Sequence, residues 1–493
     1  MTDSLLQTVT ARWLLPSAEA SLTAGKLLSW QGSTIVAVDD ARRSQPPSSG
    51  FVLPSLANGH DHCRGICNVS FGATDQSLEM WLPAMYNAPE ADPYLIAAVA
   101  YARMAQSGIG SVVHFHVPHS PAALFDEAVA CARAARDVGI RLAFCVPMRD
   151  RNRLAYGPDA ALLRHVEPAL QEEIRRRFDR PVMAPAEQVA LVEAIAQEIE
   201  DDTVTVQFCP TGIQWCSDAL IEVIAEASVR TGRRVQMHLL ETKRQREFAD
   251  GAYPQGVVRY LDAIGLLSDR LTVAHGVWLR PDEIELLGAR GVTVAVNTSS
   301  NLRLRSGIAP VAAFLDAGIE VALGVDNMAI DDDDDGFREL RLAHYVHDGV
   351  GFDQNGLSWR RALRAMCQTG HRAVTGRGDF GRLQPGAPAD FVMLDYDSLS
   401  SDATEAADPL LLTLARATAR NVMRLVVGGR TVVSDGKLVS FDLADARAEL
   451  TTQARRSIDR IVAERPFLSS LRAGMKSFYD SGAHRSAGWP SNL

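Results

Sequence analysis

Side chains of metal-ligand type stand at the ends of several apolar runs, where the packing of such a run gives no reason for them. His60 and His62 close FVLPSLANGHDH, His238 lies in RVQMHLLE, His275 in LTVAHGVWL and Asp326 in EVALGVDN. The H-x-H spacing puts both imidazoles on one side of an extended strand, because side chains alternate along it, so the two can share a cation. Alone that spacing carries little weight. A single H-x-H is as often structural as metal-binding, and His114 and His116 form a second copy in SVVHFHVP. The joint pattern is far more specific: five residues of the right type at corresponding ends of four β-runs make a ring about one axis. For any one of them the competing reading is a buried histidine satisfied by backbone. Imidazole nitrogens with one hard carboxylate suit zinc, one ion per chain, and Fe2+ or another divalent ion also fits such donors. Glu241 follows His238 by three residues, where a carboxylate reaches substrate without binding the cation and can shuttle a proton. An exposed Glu stabilised at a helix N-terminus is the alternative there.

Other residues earn a place by position. Gln214, Trp215 and Cys216 lie just beyond the fourth β-run, and Asn301 and Arg303 just beyond the seventh, all facing the mouth if the runs close into a barrel. Arg64 follows the first H-x-H and is expected to bind a substrate carboxylate or carbonyl, against pairing with a protein acid. Trp81 belongs to a long aromatic connection and is a further candidate for substrate contact. His114 and His116 read better as satisfied core or mouth histidines than as pocket lining. The acidic run Asp331 to Asp335 lacks the spaced ligands and central Gly of an EF-type loop, so a solvated loop is expected.

The elements that must position these residues follow from periodicity. From about residue 51, eight short apolar runs alternate with helix-length amphipathic stretches: 51–62, 111–118, 141–147, 203–210, 234–241, 271–279, 292–301 and 320–327. Repeated βα units of this number predict a closed (β/α)8 TIM-type barrel, with the chemistry at the C-terminal ends of the strands. Two connections are long: 63–92, with Phe71, Met80, Trp81 and Tyr86, and the Arg-rich 148–202, both expected to form a substrate lid and dimer contacts. Strand-like runs at 1–52 and 380–440 bracket the barrel and predict a small composite β-sandwich, leaving 53–379 as the barrel and 441–493 as a terminal helix with a polar tail. No internal repeat or low-complexity tract stands out.

Composition narrows the function classes. The chain has 493 residues, 47% of them hydrophobic and evenly spread, enough for a large core plus a smaller domain. A formal net charge of -10 without a basic stripe argues against nucleic acid or an anionic membrane and favours a small-molecule ligand. There is no apolar run of membrane-spanning length and no basic-then-apolar leader, so a cytoplasmic protein is expected, as a homodimer or higher homo-oligomer. The seven cysteines are scattered with no C-x-x-C, so neither a disulfide framework nor a zinc knuckle is indicated.

The segments LPSLANGHDH, QMHLLET, TVAHGVWL, NTSSNLRLRSGIAP and ALGVDN, followed by GRLQPGAPADFVMLD, together resemble the amidohydrolase superfamily, in its deaminase and chlorohydrolase branch, over about residues 8 to 440. The resemblance implies that His60, His62, His238 and Asp326 are the metal ligands, that His275 lies beside the metal-bound water and that Glu241 is the acid/base. It also implies the composite sandwich. Many relatives carry His or Cys followed by Pro where this chain has Asn297, Thr298, Ser299, Ser300 and Asn301, so the substrate is not implied. The only lysines, Lys26, Lys243, Lys437 and Lys476, lie outside the barrel strands, which disfavours a lysine-bridged two-metal centre. The expected reaction is hydrolysis by a metal-activated water, Asp326 accepting its proton and His275 steadying the developing oxyanion. Deamination of a small heterocycle (purine, pterin, pyrimidine or triazine-like) is the first expectation. Dechlorination, amide hydrolysis, a metal-dependent lyase or isomerase that takes no oxygen from water, and a scaffold without chemistry are the alternatives.

Overall fold

The computed structural model describes residues 5–42, 49–179, 181–352 and 355–485. Eight short strands, Leu56–Asp61, Ile109–Phe115, Arg141–Met148, Val204–Pro210, Val235–Leu239, Leu271–His275, Thr293–Val296 and Glu320–Leu323, pair in chain order into one parallel sheet. They are buried almost throughout, which is why they read as continuous β-branched runs rather than as alternating patterns. Their two faces serve different layers. Val113, Phe115, Ala143, Cys145 and Cys209 turn into the barrel, where Ala373 and Val374 of helix Gly370–Thr375 join them. Val112, Leu142, Phe144, Val206 and Phe208 turn outward into the main core beneath the helices. His371 of the same helix bonds Ser55 and Ser111 at the starts of strands one and two, so this helix closes the end opposite His60.

The last strand meets the first through the residues that follow it. Asp326 N donates to His60 O at 3.1 Å and Val325 N to the Asn58 side chain at 3.0 Å. Gly324 makes this approach possible: a Cβ there would lie 2.7 Å from His60 O and 2.3 Å from Asn297 Oδ1.

Strands from both ends of the chain form a second eight-stranded sheet. Gly50–Pro54 and Phe391–Asp395 meet at its centre, flanked by Leu6–Leu14, Thr23–Gln31 and Thr34–Asp40 on one side and Val422–Val427, Arg430–Ser434 and Lys437–Leu438 on the other. A buried ion pair joins it to the barrel, Arg141 Nε donating to Asp390 Oδ1 at 2.9 Å.

Several expectations are corrected. The run 51–62 is two strands in two sheets, parted at Ser55, so the first barrel strand starts at Leu56. The seventh strand stops at Val296, and Thr298–Arg303 is helical. The acidic run is a solvated loop only in its first part, where Asp331 is exposed. Asp334 pairs with Arg103, and Asp335 caps helix Gly336–His347 and accepts from Ala419 N at 2.7 Å, both acids being buried. Where a polar tail was expected, helices Leu443–Arg455 and Ile458–Ala463 are followed by a third, Arg465–Asp480. Residues 486–493 lie outside the described part. The connection 63–92 carries helix Leu78–Met85, and 148–202 carries Asp159–Leu163, Pro168–Phe178 and Pro185–Ile199. No helix among the described residues is long and apolar enough to cross a membrane.

Candidate active site at the barrel mouth

Strands one, five and six and the turn after strand eight deliver His60, His62, His238, His275 and Asp326 to one place. One donor atom from each of His60, His62 and His238 lies within 4.8 Å of the others, and so do those of His60, His275 and Asp326. Hydrogen bonds fix the rings. His60 Nδ1–H donates to Gln236 Oε1 at 2.9 Å, and the Nδ1–H groups of His62 and His238 donate to the carbonyls of Phe115 and Thr211 at 2.8 Å each. Each ring thus turns Nε2, with its lone pair, toward the centre, the tautomer that a cation requires. Asp326 Oδ1 lies 3.3 Å from His60 Nε2 and 3.4 Å from His62 Nε2. Neither His60 Nε2 nor Asp326 Oδ1 has a hydrogen-bond partner among the described residues, though both are buried.

A buried nitrogen and a buried carboxylate oxygen at this range need positive charge between them: without an ion, burial works to lower the His60 pKa but Asp326 outweighs it and raises it, so a proton serves, and a cation can take the proton's place. Two donors at ~2.0–2.2 Å from a tetrahedral ion are ~3.3 Å apart, so the spacing fits a divalent cation. Burial, reinforced by Arg64, drops the His62 pKa to about 3, and burial among the other imidazoles holds His238 well below its usual value. Both rings are therefore neutral and free to ligate. Burial works to raise the Asp326 carboxyl, but His60, His275 and His62 outweigh it and keep the group ionised. Ser300 Oγ donates to its other oxygen at 2.5 Å. Asp326 (φ 58°) and His275 (φ 71°) both hold left-handed backbone conformations, a strain that non-glycine residues keep where a site over-determines them.

His275 stands one step off the centre. Its Nδ1–H donates to Asn301 Oδ1 at 2.9 Å, and its Nε2 lies 3.7 Å from Glu241 Oε2 and 3.9 Å from Asp326 Oδ2. Glu241 is buried, not the exposed helix-terminal Glu of the alternative reading, and accepts from Ser306 Oγ at 3.0 Å. Burial, with Asp326 nearby, pushes its carboxyl well above the usual range, which favours the protonated acid. Helix Leu78–Met85 lies across this mouth: Leu78 N donates to Leu304 O at 3.2 Å, and Thr242 Oγ1 donates to Glu79 Oε1 at 2.5 Å.

The remaining candidates separate. Arg64 Nη1, Trp81 Nε1 and both amide atoms of Gln214 are buried with no hydrogen-bond partner among the described residues. Gln214 folds its amide against Gly212, which pairs with His238, and Arg64 sits over the Trp81 ring at 5.9 Å. Asn301 instead orients His275. Arg303 is taken up by Asp75, Asp332 and the Ala329 carbonyl, and Trp215 packs edge-on against Tyr156 in an apolar cluster. Gln236 and Ser306 were missed as supporting side chains, and Ser300, noted only within the departing NTSSN stretch, was missed as the partner of Asp326. Gln236 was findable, two residues before His238 and so on the same strand face; Ser300 and Ser306 gave no signal before the helical turn and loop were known.

Residues 51–432 match the model of the amidohydrolase family. The chain is 33% identical over 244 residues to a 5-methylthioadenosine/S-adenosylhomocysteine deaminase of Bacillus cereus, a match spanning 49% of this chain and little more than half (55%) of that relative. It is 26% identical over 417 residues to a 5'-deoxyadenosine deaminase of Methanosarcina barkeri, covering 84% of this chain and 88% of that one. Among solved structures, an adenosine deaminase of Xanthomonas campestris with bound zinc superposes with a TM-score of 0.73 at 24% identity, over 92% of this chain and 98% of that one, a likeness of fold.

Proposed function

Since the chain belongs to the amidohydrolase family, we propose that it is a metal-dependent deaminase that hydrolyses the exocyclic C–N bond of an aminated purine nucleoside. The observation that carries this is that His60 belongs to two donor groups at once, one with His62 and His238 and one with His275 and Asp326, with the buried Glu241 carboxyl beside them. Deaminase relatives acting on adenosine-type compounds support the substrate class.

His60, His62, His238 and Asp326 would hold the ion, zinc by donor chemistry and one at this site. When bound, a divalent cation supplies the Lewis acidity that brings water ionisation toward neutral pH. Asp326, held ionised by its histidine neighbours, takes a proton from the attacking water through the oxygen that Ser300 also bonds. His275, whose Nδ1–H is held by Asn301, presents its Nε2 lone pair and orients the attacking water by accepting a hydrogen bond from it, rather than donating one to the developing oxyanion. Glu241 donates its proton to the adjacent ring nitrogen, so the ring accepts the electron pair; Asp326 then hands the water proton to the amino group, which leaves as ammonia as the C=O bond forms, and the hydroxyl proton returns to Glu241. Arg64, Trp81 and Gln214 supply unpaired polar atoms for the bound nucleoside, while Trp215 backs the mouth through Tyr156 and Arg303 shapes it through Asp75.

The test is ammonia release from a panel of aminated purine nucleosides, pterins, pyrimidines and triazines with zinc-loaded protein. Turnover confined to the purine nucleosides is expected. Ammonia from none of them, or from triazines alone, overturns the substrate class.

A further inference from the structure

The second H-x-H takes no part in the chemistry above. Alternation on strand Ile109–Phe115 turns Phe115 inward against His60, His62 and His238, and turns His114 and His116 out toward helices Pro93–Gln106 and Leu124–Val138. There they meet Cys131. One donor atom from each of the three lies within 4.8 Å of the other two, and all three residues are buried. His114 Nε2 and His116 Nδ1 are 3.4 Å apart, long for a hydrogen bond and close to the ~3.3 Å that separates two nitrogens on one zinc-type ion.

The outer nitrogen of each ring is already anchored. His114 Nδ1 lies 2.7 Å from Tyr101 Oη, and His116 Nε2–H donates to Glu127 Oε2 at 2.6 Å. The other Glu127 oxygen accepts from His119 Nδ1–H at 2.8 Å. This repeats the scheme at the mouth, where a carbonyl or amide oxygen behind each ring presents the opposite nitrogen, and it includes the carboxylate–histidine pairing that commonly backs metal ligands.

We propose that His114, His116 and Cys131 form a second cation site, outside the barrel wall, for a borderline-soft ion of the zinc type. Two imidazoles and a sulfur select such an ion over magnesium or calcium. Binding displaces the Cys131 thiol proton to solvent; the dication, the thiolate and the Glu127 carboxylate then sum to zero charge, which a buried site requires. Without the ion, burial keeps that thiol protonated. An ion here ties strand two to helix Leu124–Val138 directly behind the catalytic histidines, so its role is to brace the site.

Cobalt loading of the whole protein tests this, because the mouth site offers only nitrogen and oxygen donors. A thiolate-to-cobalt charge-transfer band in the near ultraviolet, with about two ions per chain, is expected; Cys131→Ser should abolish the band and leave about one ion. A wild-type protein whose mouth site fills with cobalt but shows no thiolate band overturns the proposal, even if the variant fails to fold. A band that survives in Cys131→Ser overturns it too.

Discussion

At the scale of single residues, the chemistry depends on two carboxyls held in opposite states. Burial and the nearby Asp326 and Glu79 carboxylates favour the neutral acid at Glu241 over the bonds from Ser306 and Gln245, whereas at Asp326 burial is outweighed by the imidazoles it faces, which favours the anion. A group kept protonated by burial donates until the pH climbs through its raised pKa, so the donor fails on the alkaline side. Glu241→Gln preserves shape and hydrogen bonding but has no proton to give. It should retain its metal content while turnover falls by about 10²–10⁴; metal analysis beside an ammonia assay reads both, and full activity in the variant refutes the assignment. The ring of ligand types was legible in the sequence because a His or Asp at the end of an apolar run has no packing role. The fate of Arg303 was not, since the acids that claim it, Asp75 and Asp332, come from two loops far from it in sequence.

Among the elements, the strand ends matter more than the strands. Asp326 can reach His60 and His62 because the turn after Glu320–Leu323 runs along strand one, and that approach depends on Gly324 having no side chain. Gly324→Ala forces a methyl against a backbone oxygen and the Asn297 amide, which should destabilise the protein by about 1–3 kcal/mol and weaken cation binding. Urea unfolding and chelator competition measure the two effects; an Ala variant matching the parent in both contradicts this closure. The eight β-runs were legible from their β-branched composition, yet two boundaries were not. FVLPSLANGHDH is apolar on both sides of Ser55, so nothing in it marks the change of sheet. NTSSN follows strand seven without a break in polarity, and its helical turn comes from the bonds that Ser299 and Ser300 make with Glu339 and Asp326.

For the molecule as a whole, the C-terminal helices finish the wall of the site. Helix Arg465–Asp480 buries Leu471, Met475 and Phe478 against the excursion that follows strand three and against Trp215 and Phe248. Its end is pinned to helix Lys243–Ala252, which follows Glu241, by Glu247. Burial acts to raise the Glu247 carboxyl, but His484, Arg244 and Arg485 outweigh it and lower it from 4.5 to about 2. A depressed carboxyl contributes stability that is complete above the ordinary value and lost as pH falls through the folded one. Between pH 4.5 and about 2 the parent should therefore lose more stability than Glu247→Gln, and parallel denaturation curves over that window would contradict the contact. The two-sheet architecture was readable from the bracketing β-runs and a terminal helix from the apolar spacing after residue 441; helix Arg465–Asp480 was not, because its apolar residues find partners only in distant segments. The most direct test of the account as a whole is to strip the protein with a chelator and assay ammonia release from aminated purine nucleosides before and after zinc is restored. Silence followed by recovery is predicted, and turnover that persists in the stripped protein would contradict it.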